Sequence, residues 1–148
     1  MKSKLLLLLF CLVVQISFAQ KKWFKLYTDT VTQLIDATAI TNKFVSDVTK
    51  INPSIKINVK TILNTSTYLI YYDGKEVPGT VNLPIWAQVI EPQKQFFYKV
   101  AGGEAQGREV FGLFFNGFYL PHELVHALQY TVKGKFTSPY DDEVFANK

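Results

Sequence analysis

Cysteine is nearly missing from this sequence of 148 residues, since Cys11 is the only one. Cys11 lies inside an apolar run near the amino terminus, and the chain that follows that run contains no thiol. Disulfides and thiolate metal sites are therefore both excluded for the rest of the chain. Any metal ion held there must be bound by nitrogen and oxygen atoms.

Histidine is almost as scarce, with two residues, and charged residues make up only 19% of the chain. The formal net charge is +4, and the lysines are scattered along the sequence. A nucleic-acid-binding protein needs a denser basic face. The composition thus argues against a nucleic-acid partner, and no feature specifies an oligomeric state.

The first nineteen residues have the organisation of an export signal. Two early lysines precede an unbroken apolar run over residues 5–14, and Ala19 provides a small residue for cleavage. The run is too short to span a bilayer as a helix. We expect residues 1–19 to be a signal peptide and residues 20–148 to form one domain. The mature protein would then be periplasmic or extracellular, without a membrane anchor.

Hydrophobic periodicity predicts an α+β fold, with a small sheet of about three strands packed on helices. Apolar side chains recur at helical spacing over residues 29–50. Alternating or short apolar runs predict strands over residues 54–63, 68–72 and 81–85. Residues 108–120 are mostly apolar and predict a buried helix that packs under the next one.

Both histidines fall in one stretch, LPHELVHAL, at residues 120–128. Pro121 suits the first position of a helix. His122 and His126 are then one turn apart, so their rings project from the same face and can meet one ion. Glu123 is rotated by about 100° from His122, which lets it reach a water bound to that ion. Metal-assisted hydrolysis requires this combination of two imidazoles, an open position and a carboxylate base; an ordinary buried helix with paired histidines is the alternative.

A third protein ligand is usual at such a site, and because no further histidine exists an acid must provide it. The stretch SPYDDEVFANK follows at residues 138–148, with Ser138 as the N-cap of a second helix. Glu143 is the predicted ligand, because Asn147 lies four residues on and can hydrogen-bond the outer ring nitrogen of a histidine ligand. Asp142 is the alternative ligand. These acids can also serve only to stabilise the start of the helix.

The pattern over residues 120–147 resembles the gluzincin superfamily of zinc metallopeptidases, the thermolysin-like group. In that group a His-Glu-x-x-His helix is followed by a helix that bears a glutamate ligand and, four positions later, an acidic or amide residue. HELVH matches the first motif and EVFAN the second. The resemblance implies one Zn²⁺ ion with the ligands His122, His126 and Glu143. It also implies that Glu123 is the catalytic base and acid.

The resemblance predicts a secreted zinc peptidase that acts on a peptide or protein substrate. Gluzincins place a sheet edge strand beside the motif helix for an extended substrate, and residues 80–84 are the expected edge. They also take an oxyanion-stabilising histidine or tyrosine from a later region. This chain stops at Lys148, so Tyr119, Tyr130 or Tyr140 would substitute, or the sequence is truncated.

Two other functions stay open at this stage. One is a zinc-binding but inactive relative, or a truncated one, that acts as an interaction module. The other is a secreted α+β binding module that holds no metal.

Overall fold

The computed structural model describes residues 30–64, 70–136 and 138–147. The expected signal peptide lies outside these residues. The described helices are α1 (Thr30–Ile51), α2 (Glu91–Ala101), α3 (Glu104–Gly112), α4 (Leu120–Lys133) and α5 (Pro139–Ala146). The strands are β1 (Val59–Asn64), β2 (Tyr71–Asp73) and β3 (Gly79–Pro84), which form one sheet. The α+β class is confirmed. No described helix combines the length and the apolar character needed to cross a membrane.

Strand β3 lies in the centre of the sheet. It pairs in parallel with β1, where Val59 is opposite Gly79, and antiparallel with β2, where Tyr72 is opposite Val81. The prediction that residues 80–84 form a sheet edge is wrong, since this segment has a neighbour on each side. Its last residue is a proline, which ends the strand there and leaves the ladder before it intact.

The strands are shorter than the periodicity predicts, or shifted along the chain. β1 begins at Val59, and directly after α1 the chain forms a turn in which the Asn52 side chain accepts a hydrogen bond from the Ser54 N–H at 3.1 Å. β2 covers the end of the predicted strand over residues 68–72, and residues 65–69 lie outside the described part of the chain.

Helix α1 buries a partly polar stripe. Its buried residues are Gln33, Ala37 and Thr41, whereas Val31 and Ile35 are 66% and 61% exposed. The polar groups can be buried because they have partners: the Gln33 amide donates to the Pro84 carbonyl at 3.0 Å, and the Thr41 hydroxyl hydrogen-bonds the Thr61 hydroxyl. Apolar character alone therefore does not identify the inward face of this helix.

The main core joins α1, β3 and α4 through side chains with no exposed surface: Ala37, Val81, Leu83, Leu120 and Leu124. Leu120 and Leu124 are four residues apart, and this places them on one face of α4. His122 is two positions away from each leucine, a rotation of about 200°. The core contact therefore turns the histidine face of α4 away from the sheet's centre.

Helix α3 continues into α4 through a π-helical turn, Leu113–Tyr119. The backbone N–H of Leu120 donates to the carbonyl of Phe115, five residues earlier. Pro121 is the second residue of α4 and so lies in its first turn, close to the predicted start, but helical residues precede it. The prediction that residues 108–120 pack beneath α4 as a separate helix is wrong, because they run continuously into it. In an unbroken α-helix a proline ring clashes with the carbonyl four residues earlier. The wider π turn relieves this clash and keeps the chain helical.

Candidate metal centre

Two helices bring the predicted ligand residues together. α4 carries His122 and His126 and ends at Gly134, whose φ of 73° is a left-handed conformation that suits glycine. The chain then turns back into α5, where the Ser138 hydroxyl accepts from the Asp141 N–H at 3.4 Å, as the sequence predicts for an N-cap. This short connection returns Glu143 to the histidine face of α4.

The three side chains converge on one point. The Nε2 atoms of His122 and His126 are 3.1 Å apart. The Glu143 carboxylate lies 3.2 Å from each ring, with Oε2 near His122 and Oε1 near His126. Ligand atoms about 2.0 Å from a tetrahedral ion are separated by roughly 3.3 Å. The group could therefore hold a metal ion without a large rearrangement of these side chains.

The group is buried on one side and open on the other. His122 and His126 are buried, at 9% and 6% exposure, while the Glu143 side chain is 57% exposed. An ion held between them would have two ligands fixed in the protein interior and one facing solvent. Such a site leaves room for water or substrate beside the carboxylate.

The outer nitrogens of the two rings differ in their surroundings. His126 Nδ1 lies 2.8 Å from the Oε1 of Gln129, a residue 4% exposed. The Gln129 Nε2 donates to the backbone carbonyl of Asp142 at 3.0 Å. His122 Nδ1 is buried and has no hydrogen-bond partner among the described residues. Of the two rings, only that of His126 therefore has its outer nitrogen, Nδ1, hydrogen-bonded to a described side chain.

Asp142, the alternative ligand, has other contacts. Its Oδ1 accepts from Lys133 Nζ at 3.0 Å, and its Oδ2 accepts from the Ser138 N–H at 3.3 Å. The residue is 2% exposed. Its carboxylate thus ties the start of α5 to the end of α4, which supports the position of Glu143 next to it.

The residue that contacts a ring nitrogen of the histidine pair is Gln129, and the Asn147 side chain has another contact. The Asn147 amide donates to the Glu143 backbone carbonyl at 2.8 Å, within its own helix turn. The side chain that contacts a ring nitrogen is Gln129, which the sequence did not single out for this role. The sequence spacing could have predicted this contact, because a residue three positions after His126 lies on the same face of the helix.

Glu123 contacts the sheet instead of the ligand group. Its Oε2 accepts a hydrogen bond from the Tyr72 backbone N–H of edge strand β2 at 2.9 Å. Burial raises the pKa of Glu123, and Glu143 raises it further, whereas His126, His122 and the Tyr72 N–H act in the opposite direction. A carboxyl group with a raised pKa exchanges a proton more readily near neutral pH.

An open cleft of about 430 Å³ lies beside these residues. Its polar lining residues include Glu123, His126 and Glu143, and its apolar and aromatic lining residues are Ile70, Tyr71, Tyr72 and Phe136. Ligand sites commonly have this size and this mixture of apolar walls with a few polar groups.

The three tyrosines considered as oxyanion partners are placed differently. The Tyr119 ring lies 6.3 Å from the His122 ring, centre to centre. Tyr130 packs against Tyr72 and Phe136, and Tyr140 is 76% exposed. Among the described residues, the tyrosines that line the cleft are Tyr71 and Tyr72.

Comparison of this chain with known protein families, with curated proteins and with solved structures found no match.

Proposed function

We propose that this chain is a zinc-dependent peptidase in which His122, His126 and Glu143 hold the ion and Glu123 is the general base. The observation that carries the proposal is the approach of three donor side chains, from two helices, to within 3.1 to 3.2 Å of one another. Nitrogen and carboxylate donors in this number are a common zinc ligand set in hydrolases. The motif match to gluzincins supports the same reading.

Zinc, when bound, would lower the pKa of a water molecule and polarise the carbonyl of the peptide bond. Glu123 would accept a proton from that water as the water oxygen bonds to the carbonyl carbon. When the carbon–nitrogen bond breaks, the same carboxyl group would return the proton to the leaving amine. Its raised pKa and its position in the cleft suit both transfers. The hydrogen bond from Tyr72 keeps one carboxylate oxygen in place and leaves the other for this exchange.

The lining of the cleft supports a substrate with an apolar side chain next to the bond that is cleaved. Tyr71 and Phe136 are 41% and 44% exposed, so each presents ring surface that a bound peptide could cover. Burial of apolar surface favours binding by roughly 25 cal/mol per Å². We therefore propose that peptides with aromatic or aliphatic residues are preferred.

The test compares wild type with Glu123→Gln, a change that retains side-chain size. We expect one zinc ion per chain in both proteins by metal analysis. We expect wild type to cleave members of a broad peptide library, detected by mass spectrometry, and the variant to lose roughly 10² to 10⁴-fold in kcat. Glu104→Gln is the matched control, because Glu104 is exposed at the start of α3, and it should behave as wild type.

Three results would oppose the proposal. A wild-type protein that binds no zinc would rule out the proposed metal site. Hydrolysis by Glu123→Gln at the wild-type rate would rule out Glu123 as the general base. Zinc binding without cleavage of any peptide would favour the interaction module instead.

A further inference from the structure

We propose that Gln129 is a positioning residue that orients His126 for metal binding and holds the helix of Glu143 in place. The inference rests on the proposed metal site and adds a residue to it. Gln129 is buried at 4% exposure, and both ends of its amide are used. Its side chain contacts the ring of His126 and also the backbone carbonyl of Asp142, the residue before Glu143.

The hydrogen bonds determine which nitrogen of His126 carries the proton. The Asp142 backbone carbonyl can only accept, so the Gln129 NH₂ group must face it. The amide oxygen of Gln129 then faces His126 Nδ1, which must be the donor at 2.8 Å. In a neutral ring, Nε2 is left with its lone pair. That lone pair points to the group formed with His122 and Glu143.

The second hydrogen bond acts on α5. The carbonyl that accepts from Gln129 belongs to Asp142, the residue directly before Glu143. α5 has eight residues, and a helix of this length has little stability of its own. The hydrogen bond to the Asp142 carbonyl fixes the backbone one residue before Glu143. It therefore limits how far the Glu143 carboxylate can move from the two histidine rings.

Two substitutions separate an orienting role from a simple link between helices. Gln129→Met has a similar length and removes both hydrogen bonds. Gln129→Glu retains an oxygen for His126 Nδ1–H but loses the donor to Asp142. Lys133→Met is the matched control, because it removes the Lys133 contact with Asp142 and leaves the Gln129 hydrogen bonds unchanged.

The first measurement uses metal-free protein and the ¹⁵N chemical shifts of the histidine rings. At a pH where the ring is neutral, we expect His126 to carry its proton on Nδ1 in wild type, in Gln129→Glu and in Lys133→Met. In Gln129→Met we expect this preference to be lost. The same ring state in Gln129→Met as in wild type would overturn the proposal, whether or not the protein binds zinc.

The second measurement is zinc affinity, by competition with a chelator. Loss of an outer hydrogen-bond partner typically weakens metal binding by about 10- to 100-fold, and we expect this for Gln129→Met. Gln129→Glu should recover part of the loss. Wild-type affinity in Gln129→Met would overturn the proposal, and so would equal loss in both variants. Absence of zinc from wild type would instead count against the proposed function, and the ring measurement would then decide the role of Gln129.

Discussion

The carboxylate of Glu143 lies 3.2 Å from the Nε2 of His126, although α4 ends and α5 begins between the two residues. The contact depends on how α5 returns across α4. Asp142 provides that return, because its side chain binds Lys133 near the end of α4. Asp142 and Glu143 are neighbours on α5, but the Asp142 side chain holds the helix against α4 and the Glu143 side chain contacts the histidine rings. Substitutions at each residue can separate these two roles.

Glu143→Gln and Asp142→Asn should affect different properties. We expect Glu143→Gln to weaken zinc binding by more than the roughly 10- to 100-fold typical of outer partners, because a charged ligand is lost. Asp142→Asn should lower the free energy of unfolding by about 1 to 3 kcal/mol, since hydrogen bonds to a charged, buried group are lost. Chelator competition and urea denaturation measure the two effects. The opposite order of zinc affinities would identify Asp142 as the ligand.

The raised pKa of Glu123 predicts a pH effect on the metal-free protein. The folded state holds the proton more tightly than the unfolded state. This contribution to stability is complete below the ordinary value of 4.5 and is lost as the pH rises through the higher folded pKa. The variant Glu123→Gln lacks it. We expect the unfolding free energy of wild type, minus that of the variant, to fall from about pH 4 to pH 8 in urea titrations. A difference that increases with pH would contradict the shift.

Leu124→Ala should destabilise the fold substantially. The Leu124 side chain has no exposed surface and lies in the core shared by α1, β3 and α4. Truncation of a buried leucine removes apolar contacts and leaves a cavity, which costs about 2 to 5 kcal/mol. Val132→Ala on the same helix is the control, because Val132 is 62% exposed, and its effect should be within about 0.5 kcal/mol. Equal effects of the two changes in urea denaturation would show that this core assignment is wrong.

Asn116→Ala should weaken the contact between α1 and the π-helical turn. Asn116 is 1% exposed; it donates to the Gln33 backbone carbonyl at 3.2 Å and accepts from the Gln33 side chain at 3.4 Å. Loss of these partners should cost about 1 to 3 kcal/mol in urea denaturation. Asn42→Ala, an exposed change on α1, should have an effect within about 0.5 kcal/mol. A neutral effect of Asn116→Ala would mean that water replaces both hydrogen bonds.

The sequence alone was sufficient for features set by neighbouring residues. The spacing of His122 and His126 places both rings on one face once that segment is helical. Gly134 ends α4 and Ser138 caps α5, because each satisfies a local backbone requirement. The α+β class also followed from the change in hydrophobic period along the chain.

Tertiary packing decided what local pattern could not. The central position of β3 depends on pairing with two other strands, so the expectation that residues 80–84 form a sheet edge was wrong. The inward face of α1 depends on partners for Gln33 from β3 and the π-helical turn. The contact of Glu143 with the histidine rings, and the hydrogen bond of Gln129 to the Asp142 carbonyl, depend on how α5 packs against α4. These contacts join residues distant in the chain, and their energies depend on three-dimensional partners that a local pattern does not specify.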